Sequence, residues 1–275
     1  MPTLRELLLD FDPLAGLPLP PQWQQGRTAY GGITTATALA AARATMPQGL
    51  PALRSAQVSF IGPASGRLQY QVQPLRAGKS VTSVGMDVSG REGLAARLTL
   101  LFAQDRPSRV IHDFSERPGV RGPESYATLD AAGLAAAIPR PPFVEMDVGA
   151  IVPAFMANFE LRPAAGALPV SGSANPEMVA WIRHLDARDV DPVVALVALA
   201  DALPPAAFTA YRRPAPVSSM NWSFDLLAPP PAGHWFLLRS ASEHAAHGYS
   251  SQHMQVWDLD GRLLMRGRQS VALFE

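Results

Sequence analysis

The sequence predicts an α+β fold in which one unit, a helix followed by an antiparallel meander of strands, occurs twice in a single chain. Three observations carry this reading. Gly31 and Gly32 open an alanine-rich helical segment over residues 33–46, and strands follow at 52–61, 66–76 and 79–88, with a last one ending at Phe102. The same order returns after a second helical segment at 190–202, with strands at 219–227, 233–241, 248–259 and 262–274. The punctuation matches too: Pro63 answers Pro229, Gly66 answers Gly233, and Ser89-Gly90-Arg91 answers Asp260-Gly261-Arg262. Repetition of a supersecondary unit at this scale indicates duplication.

Each element has a local reason. Glycines at a helix start leave backbone N–H groups open to close approach by a carbonyl oxygen or an anion. No phosphate-loop Lys-Ser/Thr follows them and no third glycine stands at dinucleotide spacing, so neither nucleotide motif is met. Residues 105–142 contain Pro107, Pro118, Pro123, Pro139, Pro141 and Pro142, which marks a connector, with one short helix expected at 129–137. The expected division is therefore 1–104, a connector at 105–142, and 143–275. In the second copy, Met220, Trp222, Phe224 and Leu226 alternate with Ser219, Asn221, Ser223 and Asp225, the pattern of a half-buried strand. The last strand carries the stripe Leu263, Met265, Gly267, Gln269, Val271 and Leu273, in which Gln269 is the polar member. A buried amide is costly unless it is hydrogen-bonded, so Gln269 is either a structural amide or one aimed into a cavity.

Composition excludes several function classes. Lys plus Arg and Asp plus Glu balance at 23 each, and the basic residues form no stripe, so an electrostatic grip on nucleic acid is not expected. The chain has no cysteine, hence no thiolate nucleophile, disulfide framework or cysteine zinc site. His244, His247 and His253 cluster without carboxylates at ligand spacing, and neither metal nor cofactor is expected. Residues 1–12 do not read as a signal peptide, and no window reaches the roughly 20 apolar residues of a membrane span. The expectation is a soluble cytoplasmic protein.

Three polar positions in the second copy lack counterparts in the first. Asp201 ends an apolar helical run just before Leu203-Pro204-Pro205, where both the helix dipole and desolvation disfavour a carboxylate. Ser218 and Ser219 begin the next strand, and Gln269 comes from the last one, where the first copy has Leu98. Polar groups thus gather in one half and the glycine-headed helix in the other, and a site between the halves combines them. Without a histidine, these groups make no nucleophilic triad, but they can hold a water and take its proton.

With these residues in view, the chain resembles the acyl-CoA thioesterase II family and its double-hotdog relatives. The likeness rests on Arg27, Tyr30-Gly31-Gly32, Val58-Ser59-Phe60-Ile61-Gly62-Pro63 and Leu75-Arg76-Ala77-Gly78-Lys79-Ser80 in the first half. In the second it rests on Trp181-Ile182-Arg183, Leu199-Ala200-Asp201, the strand from Ser219, and Asp260-Gly261-Arg262-Leu263 leading to Gln269. The resemblance implies two hotdog domains in one chain, each a sheet wrapped around a helix. It implies hydrolysis of acyl-CoA by a water that an aspartate, a hydroxyl and a glutamine position, here Asp201, Ser219 and Gln269. Strict alternation, however, groups Ser218 rather than Ser219 with Met220 and Trp222, so Ser218 stays as the alternative. Tyr30, Gly31 and Gly32 are the implied substrate-binding residues, with the Gly32 amide directed at the thioester oxygen. A homodimer is expected, most simply with C₂ symmetry. The competing readings are a non-catalytic acyl-CoA-binding protein on the same scaffold and a hotdog hydratase, whose Asp-x-x-x-His order is not met around His184.

Overall fold

The structure, a computed structural model, describes residues 2–46, 49–130, 132, 133, 136 and 152–274. Residues 131, 134, 135 and 137 of the short helix expected at 129–137 lie outside the described residues. A capped turn, α1 (Leu4–Leu8), and short strands β1 (Leu17–Pro18), β2 (Gln24–Gln25) and β3 (Thr28–Ala29) lead into helix α2 (Gly31–Thr45). The meander β4 (Leu53–Phe60), β5 (Arg67–Ala77), β6 (Val81–Gly90) and β7 (Gly93–Ala103) follows. The second half starts with a hairpin, β8 (Phe159–Gly166) and β9 (Glu177–His184), then helix α3 (Pro192–Ala200). Strands β10 (Val217–Leu226), β11 (Phe236–Ala246), β12 (Tyr249–Trp257) and β13 (Leu263–Leu273) complete it. The fold is α+β, a double hotdog, as expected. The β8–β9 hairpin was not foreseen, because β9 is buried on both faces and shows no alternation.

The main sheet has 11 strands in the order β1-β5-β6-β7-β4-β10-β13-β12-β11-β9-β8. The two halves join where β4 and β10 pair antiparallel, from Asn221 opposite Ser59 to Asp225 opposite Ser55. Around this junction the register is symmetrical. One lateral row runs Val72, Met86, Leu98, Val58, Trp222, Gln269, Gln252, Ser242 from β5 to β11. Leu98 and Gln269 therefore occupy matching places in the row, one on either side of the joint.

Both helices lie on the same face of the sheet, and their buried residues share one core with the inner faces of both halves. The helices run antiparallel. Asp191 caps α3 by accepting from the Val193 and Val194 amides at 2.8 and 3.2 Å, and it also pairs with Arg43 in the last turn of α2. At the opposite end, the start of α2 meets the end of α3, where the Tyr30 hydroxyl donates to the Ala198 carbonyl at 2.8 Å.

A short segment around residues 117–126 crosses the other face of the sheet. A second row, Trp181, Leu237, Trp257 and Leu263, crosses that face in register. Val120 and Tyr126 cover it, and Trp181 donates its indole N–H to the Arg121 carbonyl at 2.8 Å.

Close approach of the helices depends on Gly32. A Cβ there would stand 2.5 Å from both the Ala198 carbonyl oxygen and the Tyr30 ring. Backbone cannot yield as a flexible side chain does, so Gly32→Ala is expected to destabilise the protein by about 1–3 kcal/mol. A lowered urea midpoint with an unchanged slope checks this; an unchanged midpoint contradicts it.

Candidate active site

The site forms where the two helix ends meet the sheet. Helix α3 stops because Pro204 and Pro205 cannot continue it, and Asp201 is its C-cap. At the C-terminus of its own helix the carboxylate is disfavoured, but it lies against the N-terminus of α2. The Gly32 amide hydrogen-bonds it, and Gly31 leaves so little room that a Cβ would be 2.7 Å from Asp201 Oδ2. The glycine-headed helix does receive an anion; that anion is the protein's own carboxylate.

Gln269 lies under Asp201 in β13 and is 2 % exposed. Its Nε2 donates to Asp201 Oδ1 at 2.5 Å. Its Oε1 accepts from Gln252 Nε2 at 2.8 Å and from the Ser219 hydroxyl at 3.4 Å. Asp201, Ser219 and Gln269, singled out separately in the sequence, thus converge in one hydrogen-bonded group.

The strand register puts the two serines on different faces of β10. In β10 the pairing with β13 shifts between Ser219, opposite Val271, and Asn221, opposite Ser270. Met220 sits in the resulting bulge and is 41 % exposed, contrary to the alternation that placed it in the core. One extra residue reverses the side-chain phase. Ser219 therefore joins Trp222 on the inner face, while Ser218 is exposed.

Burial pushes the Asp201 carboxyl up to about 7, against the lowering effect of its bonds from Gln269 and Gly32. Asp201, Ser218, Ser219, Gln269 and Gly31 lie on the wall of a cavity of about 1480 Å³. The rest of the lining is mainly apolar, with Phe60, Phe155, Met156, Leu203 and Phe208 among its members. It draws on both halves.

Two expectations need correction. Tyr30 and Gly32 stand behind the cavity rather than on its wall. Tyr30 is 2 % exposed and stacks on Phe155 at 4.1 Å between ring centroids. The Gly32 amide is directed at Asp201, not at an open position for a thioester oxygen. Among the histidines, His253 pairs with Glu243 at 2.7 Å. His184 holds the Ala195 carbonyl at 2.8 Å, and burial lowers its pKa to about 4. Gln252 was missed, although Ser250, Gln252, Met254 and Val256 form a buried stripe with the same polar interruption that singled out Gln269.

Comparison with known proteins decides the family. Residues 19–103 match the family model of the acyl-CoA thioesterase N-terminal domain, and residues 129–273 match that of the acyl-CoA thioesterase C-terminal domain. The chain belongs to the acyl-CoA thioesterase family. It is accordingly a thioester hydrolase.

Solved structures agree on the fold. A hot dog fold protein of unknown function from Alicyclobacillus acidocaldarius is 22% identical with a TM-score of 0.78, over 94% of this chain and 92% of that one. The tesB protein of Mycobacterium avium subs paratuberculosis is 18% identical with a TM-score of 0.70, over 94% and 91%. The acyl-CoA thioesterase II TesB2 of Mycobacterium marinum is 17% identical with a TM-score of 0.66, over 88% of each chain. No curated protein matches the sequence. Among the described residues, no helix is long and apolar enough to cross a membrane.

The raised pKa of Asp201 has a consequence for stability. The folded state holds this proton more tightly than the unfolded chain, so stability falls as pH rises from about 4 through about 7. Asp201→Asn removes the buried charge. It is expected to raise the melting temperature at pH 8, with a gain that shrinks as pH falls toward 4. A gain independent of pH would contradict the assignment.

Proposed function

We propose that this thioesterase hydrolyses acyl-CoA to a free acid and CoA, using a water that Asp201, Ser219 and Gln269 hold and activate. The observation that carries the reading is the Asp201–Gln269 contact of 2.5 Å on the wall of a largely apolar cavity, beside the Ser219 hydroxyl. The acyl chain would occupy the apolar part and bring its carbonyl to the polar wall.

The chemistry follows from this placement. Asp201, with its pKa near 7, takes a proton from the water, an effect typically worth about 10²–10⁴-fold. The water oxygen forms a bond to the thioester carbon, and the carbonyl pair moves onto oxygen. Gly31 borders the cavity at the positive end of α2, which favours that negative charge. Collapse re-forms the carbonyl, the carbon–sulfur bond breaks, and the proton held by Asp201 passes to the departing sulfur. Ser219 and Gln269 fix the attacking water and so lower the entropy of attack.

Three experiments test this. The base must be ionised, so kcat for an acyl-CoA is expected to rise with pH to a plateau, with its midpoint near 7. Asp201→Ala should abolish thiol release, and a variant that keeps wild-type turnover overturns the proposal. Ser219→Ala should lower kcat roughly tenfold while Ser218→Ala leaves it within about twofold, the contrast that a water-orienting hydroxyl requires. Equal effects of the two would argue against Ser219.

A further inference from the structure

A glutamine outside the cavity fixes the polarity of the site. Gln252 lies in β12, directly opposite Gln269 in β13, and is 1 % exposed. It is not among the residues that line the cavity. Its Oε1 accepts from the Ala206 backbone N–H at 2.8 Å, and its Nε2 donates to Gln269 Oε1 at 2.8 Å. The chain of donors thus runs from the Ala206 amide to Gln252, from Gln252 to Gln269, and from Gln269 to Asp201.

The Ala206 end of this chain is chemically unambiguous, and the far end is so when Asp201 is ionised. A backbone N–H can only donate, so the Gln252 atom facing Ala206 is the oxygen. Its nitrogen must then face Gln269, which turns the Gln269 oxygen toward Gln252 and its nitrogen toward Asp201. A carboxylate accepts only, so the far end demands the same order. Without Gln252, the Gln269 amide could rotate by half a turn and present its oxygen to Asp201, an arrangement that favours the protonated acid. Ser219 also donates to Gln269 Oε1, but its contact of 3.4 Å is long for a hydroxyl donor.

We infer that Gln252 is a positioning residue, which locks the Gln269 amide as a donor toward Asp201 and so holds Asp201 in its proton-accepting form. The Ala206 amide belongs to a short 3₁₀ segment (Ala206–Ala210) of the Pro- and Ala-rich stretch after α3, and this gives that backbone a role in the site. The inference rests on the proposed function for its kinetic part only.

The test combines two variants with two readouts. Gln252→Leu removes both bonds. Gln252→Glu keeps an acceptor for Ala206 and, once ionised, replaces the donor to Gln269 with a second acceptor. Both variants are first compared with wild type by thermal melting, to show that they fold, and by affinity for CoA, which should stay within about twofold because Gln252 itself does not line the cavity. The Asp201 carboxyl is then titrated by ¹³C NMR in protein labelled at aspartate carboxyl carbons, assigned with Asp201→Asn. The Asp201 midpoint is expected to move to higher pH in Gln252→Leu, since the bond from Gln269 lowers it, and to stay near wild type in Gln252→Glu while the buried Glu is protonated, because its O–H then donates to Gln269 in place of the amide. Steady-state hydrolysis of an acyl-CoA by Gln252→Leu should show kcat reduced roughly 10–100-fold with KM nearly unchanged, and the acid limb displaced in the same direction. A folded Gln252→Leu variant whose Asp201 titrates as in wild type overturns the inference, whatever the turnover. A displaced titration in a protein without activity toward acyl-CoA supports the positioning role and counts against the proposed function instead.

Discussion

Pairing of β4 with β10 is the constraint on which the rest depends, because it fixes where two helix ends meet. Joining two meanders edge to edge in antiparallel fashion forces the helices they carry to lie antiparallel on one face. The end of α3 then falls beside the beginning of α2. A carboxylate at the former gains the amides of the latter, and neither half by itself supplies both. Gly31 and Gly32 are small for the same reason: the space their side chains would need is filled by Phe60, Asp201, Ala198 and Tyr30. The local oddity of an acid at its own helix C-terminus is resolved only by the tertiary arrangement.

Duplication also explains how the site became one-sided. The lateral row through the joint is apolar from Val72 to Trp222 and turns polar at Gln269, Gln252 and Ser242. In a dimer of identical units both ends of this row would have to carry the same side chains. A fused chain is free of that condition. Its other helix junction holds Asp191, which caps its own helix and pairs with Arg43. Each junction therefore sets one carboxylate against one helix N-terminus, but only the one with Gln269 beneath it adjoins the cavity.

Much of this was legible in the sequence where a side chain broke a regular pattern. Asp201 at the end of an apolar helix and Gln269 in an apolar stripe were conspicuous because burial of a polar group needs a partner. The partners themselves come from register, which periodicity does not supply. The bulge at Met220 is the clearest case: a single inserted residue reverses the phase of the strand, so strict alternation groups Ser218 with Trp222 where the register groups Ser219. Gln252 carried the same signal as Gln269 but followed Ser250 and Ser251, where one more polar residue drew no notice. The β8–β9 hairpin was lost for the opposite reason. With Met178 to Ile182 buried on both faces, the strand has no alternation to read.

The segment over the outer face bears on where this polypeptide can be divided. A fragment beginning at residue 129, where the likeness to the C-terminal domain begins, would retain every strand from β8 onward. It would also lack Val120, Tyr126 and the Arg121 carbonyl, and so uncover part of the row of Trp181, Leu237, Trp257 and Leu263, which Ala164 and Trp235 would still flank, and leave an indole N–H without its acceptor. Such a contiguous aromatic surface is adhesive in water. The protease-resistant core that survives limited digestion should accordingly carry this segment with it, bound as an outer skin by the tryptophans beneath.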